Sequence, residues 1–348
     1  MKNETINHKQ ATESPCNTCS EAPCCHLLQL QQISVSKLTD LDLIAYYLNF
    51  ENITAALTRD GQWTIYYRQP CQYLNQQDYS CTVHNTPQQP NICIHYNPYN
   101  CFYKTAHLAK TQTGGAVVWI NRKRMQRLMD LMLYDESRQL VQLPEDVDVF
   151  AELEAIPYQD PELVAAPEDP VRATWKEKIQ AGEMPVPQPV NRSFEEIQNP
   201  CKGCAAHCCT NLLFVQGLPI NFSNLDFFKY CLGFPGVELG ISDTQWTLIV
   251  RTKCRHLGAD NQCGVYGKPE RPLVCKYYDA GSCTYKVGFG QPRPQGYMRI
   301  GYEEYNWLLE TYGFDDAGNI TVGWDTETLR QHVEEKWRNT PSKEIQVN

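Results

Sequence analysis

The chain has 348 residues, of which 42% are hydrophobic and 20% charged, with a formal net charge of −9. That length suits two domains of ordinary size, each with a modest core, and no apolar run approaches the ~18 residues needed to span a membrane. No broad basic face is available for phosphate backbones, so nucleic acid is excluded as the main partner. Seventeen cysteines are the outlying feature.

The first ten residues are polar and mixed in charge. They show neither the apolar core of a secretory signal nor the Arg-rich pattern of a transit peptide, so a reducing, cytoplasmic setting is expected. Cys16, Cys19, Cys24 and Cys25 follow within ten residues. Leu38–Phe50 reads as a helix, because Leu41, Ile44, Ala45 and Leu48 fall at helical spacing. Trp63–Tyr67 is a β-rich run leading to Cys71, so a strand is expected there. Cys81, Cys93 and Cys101 stand on irregular loops, and Arg122–Tyr134 reads as a closing helix.

Residues 141–200 hold nine prolines, 13 acidic and four basic residues, an excess equal to the whole net charge. Short helical pieces are expected at Glu145–Ile156 and near Arg172–Ala181. Met184–Val190 should be extended, because each proline fixes φ and denies helix to its predecessor. The whole reads as a solvated, semi-stiff connector, with an acidic docking surface for a protein partner as the alternative.

Beyond it Cys201, Cys204, Cys208 and Cys209 open a second series. A helix at Leu225–Leu232 and a strand at Trp246–Val250 lead to Cys254, Cys263, Cys275 and Cys283, and Glu303–Tyr312 closes the series. Matched cysteines are offset by 185 to 182 residues. From the adjacent pair onward the intervals are 46, 10, 12 and 8 in one half, against 45, 9, 12 and 8 in the other. Leu41-Asp42 matches Leu225-Asp226, Phe50 matches Phe234, and Trp63-Thr64 matches Trp246-Thr247. Self-similarity of this kind marks a tandem repeat. The expected architecture is α+β: a first cysteine module over 14–140, an acidic Pro-rich linker over 141–199, and a second module over 200–335, each stapled by metal. Cys231 aligns with Tyr47 inside a helix and is expected to be a buried small apolar group.

In an oxidising compartment these cysteines would be disulfides; in a reducing one they would be metal ligands or redox thiols. The length and the polar start favour metal. A Cys-x-x-Cys turn delivers two sulfurs to one tetrahedral ion, whereas neighbouring Cβ atoms in an extended segment point to different sides. The adjacent pairs therefore suit two ions, or one ion and a spare thiol. His26 and His207 do not align, and His84 and His95 face tyrosines in the other half, so the sixteen matched cysteines are expected as ligands rather than the histidines. Arg271 is expected either to donate to thiolate sulfur or to lie in water.

Cys-x-x-Cys-x₃-Cys-Cys, then Cys-x-x-Leu, then Cys-x-Val-Tyr and Arg-Pro-x-x-Cys resembles the YkgJ-like cysteine-cluster family of zinc- or iron-chelating domains. Cys201, Cys204, Cys208, Cys209, Cys254, Leu257, Cys263, Tyr266, Arg271, Pro272 and Cys275 carry the resemblance in the second half. The first half departs from it, with one extra residue before Cys24, His84 in place of tyrosine and Gln89 in place of arginine. The resemblance implies metal binding and says little about purpose. The expected function is a non-catalytic metalloprotein holding zinc or iron, or an iron–sulfur cluster. The alternatives are an iron–sulfur enzyme of redox or methyl-transfer chemistry, and a metal store or carrier. Thr113-Gly-Gly115 and Gly288-Phe-Gly290 are too short to cradle phosphate and read as turns.

Overall fold

The structure is a computed structural model. It describes residue 19 and residues 21–103, 115–142, 147–183, 193–195, 204–279, 283–290 and 293–340. Cys16, Cys201 and the extended stretch expected at 184–190 lie outside the described residues.

The fold is mixed α+β with antiparallel sheets. In the first half, β1 (Leu27–Ile33) is followed by α1 (Leu38–Tyr47), β2 (Ile53–Thr58) and β3 (Trp63–Arg68). The Asp40 carboxylate accepts from the Ser36 and Lys37 amides at 2.9 and 3.1 Å and fixes the start of α1. The helix ends three residues before the expected Phe50. Asn52, in the left-handed region at φ 60°, turns the chain into β2. The short helix α2 (Asn91–Ile94), β4 (Val117–Ile120), α3 (Arg122–Leu131) and a small ribbon of β5 (Leu133–Tyr134) with β6 (Leu140–Gln142) complete this half. Residues 133–134, expected as the end of a helix, are therefore strand.

Two helices follow, α4 (Val149–Glu154) and α5 (Pro170–Gln180). The second half then runs β7 (Asn211–Gly217), α6 (Phe222–Leu232), β8 (Val237–Ile241), β9 (Trp246–Arg251), the short α7 (Leu273–Lys276) and α8 (Thr284–Phe289). It closes with β10 (Met298–Ile300), α9 (Tyr302–Leu309), a ribbon of β11 (Gly313–Phe314) with β12 (Ile320–Val322), and α10 (Thr326–Asn339).

The first sheet has the order β1-β3-β2-β4 and the second β7-β9-β8-β10. Their registers agree at the sequence-matched positions: Ile53 faces Tyr67 as Val237 faces Val250, and Leu57 faces Trp63 as Ile241 faces Trp246. Both first strands carry a register shift, between Gln29 and Gln31 and between Val215 and Gly217.

Two separate cores were expected from the length; the main core found among the described residues spans both halves, with a small cluster beside it around Trp119 and another around Phe289. The main core includes Leu28, Leu41, Ile44 and Ile65 from the first half, Leu212, Leu225, Leu239 and Leu248 from the second, and Leu153, Trp175 and Ile179 from between. Tyr47 meets Phe214 across the halves, with ring centroids 5.3 Å apart. Main-chain bonds stitch the same boundary: Glu51 N donates to Lys253 O at 3.0 Å, Gln72 N to Gly233 O at 2.9 Å and Arg255 N to Asn49 O at 3.0 Å.

The solvated connector is also corrected. Trp175 packs on Trp337 edge to face at 4.6 Å, and Leu153 and Ile179 are fully buried. Val164 exchanges two hydrogen bonds with the Asn52 side chain, at 2.6 and 2.9 Å. Asp169 caps α5 and pairs with Arg299, while Arg172 pairs with the buried Glu304 at 2.6 Å. Composition misled here because an acidic, proline-rich run looks the same whether its charges face water or meet arginines from distant strands. Among the described residues no helix is long and apolar enough to cross a membrane.

Candidate functional site

Each half begins its sheet from a three-residue 3₁₀ turn that holds the adjacent cysteines: Pro23–Cys25 before β1 and His207–Cys209 before β7. Both turns are entered through an alanine in the left-handed region, Ala22 at φ 37° and Ala206 at φ 54°. The tight bend replaces the extended geometry expected from sequence, so Cys24–Cys25 and Cys208–Cys209 each hydrogen-bond sulfur to sulfur. The chain returning from the long strand docks on the turn by one short main-chain bond, Cys71 N to Cys25 O and Cys254 N to Cys209 O, both 2.7 Å. The next thiol sits in a two-residue bridge, Leu74 with Cys81 and Leu257 with Cys263. Cys93 lies on α2 and Cys275 on α7.

These placements gather five thiols in each half. Cys25 interacts electrostatically with Cys24, Cys71 and Cys93, and Cys71 with Cys81. In the second half Cys209 interacts with Cys208, Cys254 and Cys275, and Cys254 with Cys263. The hydrogen bond from Cys209 brings Cys208 down to about 7, against burial, while the same bond and burial push Cys209 strongly up. Cys24 is likewise lowered by Cys25, and Cys25 raised. Burial and then the neighbouring sulfurs push Cys93 and Cys275 up to about 12, because clustered thiols oppose one another's ionisation.

The last thiols attach through tyrosines: Tyr96 is hydrogen-bonded to Cys101 and Tyr278 to Cys283. Cys283 is buried with Ile249, Tyr285 and Phe289, against Cys208. Cys19 and Cys204 are half-buried. Cys231 is fully buried in the core on α6, apart from these groups, in keeping with an apolar role.

No disulfide joins any of the described cysteines. Equally, among the described residues no group of three or more His, Cys, Asp or Glu side chains is arranged to hold a metal ion. The donor type, thiol throughout, is the one that soft cations take.

Histidines adjoin thiols in sequence, among them His207 in the turn of Cys208 and Cys209 and His256 two residues after Cys254. His207 lies against the Phe289 ring at 5.8 Å, and burial followed by the Arg299 charge lowers its pKa. His256 meets the Asn49 amide oxygen at 3.3 Å. Arg271 acts on sulfur through its charge, which helps lower Cys208 and opposes the rise of Cys275. It donates to the Cys275 carbonyl at 2.6 Å and lies 4.3 Å over the Tyr266 ring.

Sequence reading missed four tyrosines that surround the sulfurs. Tyr230, from the second half, donates to the Cys24 carbonyl at 3.1 Å and hydrogen-bonds Tyr103. Tyr46, from the first half, feels Tyr285, Cys275, Cys208 and Cys209 once its own burial is counted. Tyr46 and Tyr230 occupy matched positions, as do Tyr103 and Tyr285, so the repeat itself carries the signal. No family model, curated protein or solved structure matches the chain.

Proposed function

We propose that the chain is a tandem duplication of one thiol-rich unit, and that each copy is a non-catalytic centre for zinc or iron, the latter as ion or iron–sulfur cluster. Cys24, Cys25, Cys71, Cys81 and Cys93 are the inner donors of one centre. Cys208, Cys209, Cys254, Cys263 and Cys275 are those of the other. Cys16, Cys19 and Cys101, with Cys201, Cys204 and Cys283, complete the two donor sets.

What supports this reading is the recurrence of matched thiols on matched elements: the adjacent pair in a 3₁₀ turn, the next thiol docked on that turn by a 2.7 Å main-chain bond, and another on a short helix, in each half. A cluster of thiols that oppose one another's ionisation has no use for stability by itself, and a cation turns that repulsion into attraction. Thiolate is the donor that selects zinc and iron–sulfur chemistry over magnesium or calcium. Saturated sulfur shells leave no open position for substrate, which favours a structural or binding role over catalysis. The motif likeness to YkgJ-like cysteine-cluster domains points to the same reading.

Elemental analysis combined with native mass spectrometry tests it. The chain purified without oxygen should carry zinc or iron in both halves. Cys71→Ser should lose metal from the first half and Cys254→Ser from the second. A folded chain free of zinc and iron would overturn the proposal.

A further inference from the structure

Asp42 and Asp226 occupy matched positions on α1 and α6, yet neither serves its own half. The Asp226 carboxylate accepts from the amides of Asn91 and Ile92 at 2.8 and 2.7 Å. These are the first two residues of α2, the short helix that carries Cys93. Asp42 accepts from the amides of Leu273 and Val274 at 2.7 and 3.4 Å, at the start of α7, which carries Cys275. Neither short helix has a side-chain cap of its own, since Pro90 and Pro272 precede them and offer no acceptor. The crossing extends beyond these caps: Tyr230 holds the Cys24 carbonyl, Lys229 donates to Pro87 O at 3.0 Å, and Phe50 bridges to Cys254.

We infer that each thiol cluster is completed in trans: Asp226 of the second half is the positioning residue for Cys93 of the first, and Asp42 of the first is the positioning residue for Cys275 of the second. A four-residue helix has no internal ladder to speak of, so its leading amides need an outside acceptor. The acceptor sits on a helix whose apolar face is packed in the main core of the opposite half, so opening one cluster breaks a contact anchored in the other half. The two clusters are linked in the thermodynamic sense, each biasing the other's local opening. This inference goes beyond metal binding and holds whether or not a cation is present.

Peptide-resolved amide hydrogen exchange of the full-length chain, with EDTA present, tests it, since Cys93 itself is exposed and its alkylation would not report opening. Rates for the α2 and α7 amides are each normalised to those of the core strands β3 and β9, which report global unfolding. Asp226→Ala should raise the α2 rate relative to α7 about fivefold, the effect of losing a helix cap worth ~1 kcal/mol. Asp42→Ala should shift the same ratio about fivefold the other way. Asp→Asn at either position, which keeps one acceptor oxygen, should restore most of the protection. A ratio that stays constant, or that moves toward the short helix of the mutated half, overturns the inference. Since the readout contains no metal, a chain that fails elemental analysis could still pass this test, and the reverse.

Discussion

Two alanines shape the thiol pairs at the residue scale. Ala22 and Ala206 hold left-handed backbone at a cost of about 1 kcal/mol each. In return the turn brings adjacent sulfurs into contact, one driven toward thiolate and the other held as thiol. Cys231 provides the contrast, fully buried among apolar side chains. Cys231→Ser should leave metal content unchanged while lowering stability by about 1–3 kcal/mol, the cost of burying a hydroxyl, as read by urea unfolding. Cys254→Ser should do the reverse at neutral pH, removing metal first. The cysteine repeat was legible from spacing alone, and so was the odd place of Cys231. The sulfur–sulfur contact was not, because it depends on a backbone angle at Ala22 and Ala206 that alanine does not announce. Asp42 and Asp226 were visible as a matched pair, but their partners stand 231 and 135 residues away in sequence, beyond any local pattern.

At the scale of elements, α5 is the helix expected near Arg172–Ala181, but composition misjudged its setting: Trp175 and Ile179 are buried rather than solvated. Arg172 and Glu304 form a pair in which Glu304 is buried, and Glu238 is approached by Arg172, Arg251 and Arg299. Removing one partner of such a pair strands a buried charge. Glu304→Gln should therefore cost about 3–5 kcal/mol in chemical denaturation, and Trp175→Ala a similar ~3–5 kcal/mol through the cavity left beside Trp337. The same pairs set an acid limit. Burial alone would raise Glu304 and Asp169, but Arg172 and Arg299 outweigh it, and both carboxyls are held below their ordinary values. A depressed carboxyl stabilises the fold above its unfolded pKa and loses that contribution as pH falls through the folded one. Thermal stability should thus decline as pH drops below the ordinary carboxylate range of about 4, and Glu304→Gln should flatten that decline. Helix and strand identities around α1, α6, β3 and β9 were readable from periodicity. The edge strands β4 and β10 were not, because three or four residues such as Met298–Ile300 are too few to show a period.

For the whole molecule, sequence suggested two beads on an acidic string, and the fold is one body in which the halves exchange caps, tyrosines and main-chain bonds. Shared burial predicts shared cooperativity: calorimetry on the intact chain should give one unfolding transition, and two resolved transitions would show that the halves are independent. Non-local pairing of this kind cannot be read from a linear pattern, because the repeat defines what is alike and not what touches. The central claim remains that both sulfur clusters hold a cation. X-ray absorption at the zinc and iron edges of the anaerobically purified chain tests this most directly. The account predicts a shell of sulfur neighbours, at about 2.3 Å if the metal is zinc. A shell of nitrogen and oxygen only, or no edge from either metal in a folded chain, would contradict it.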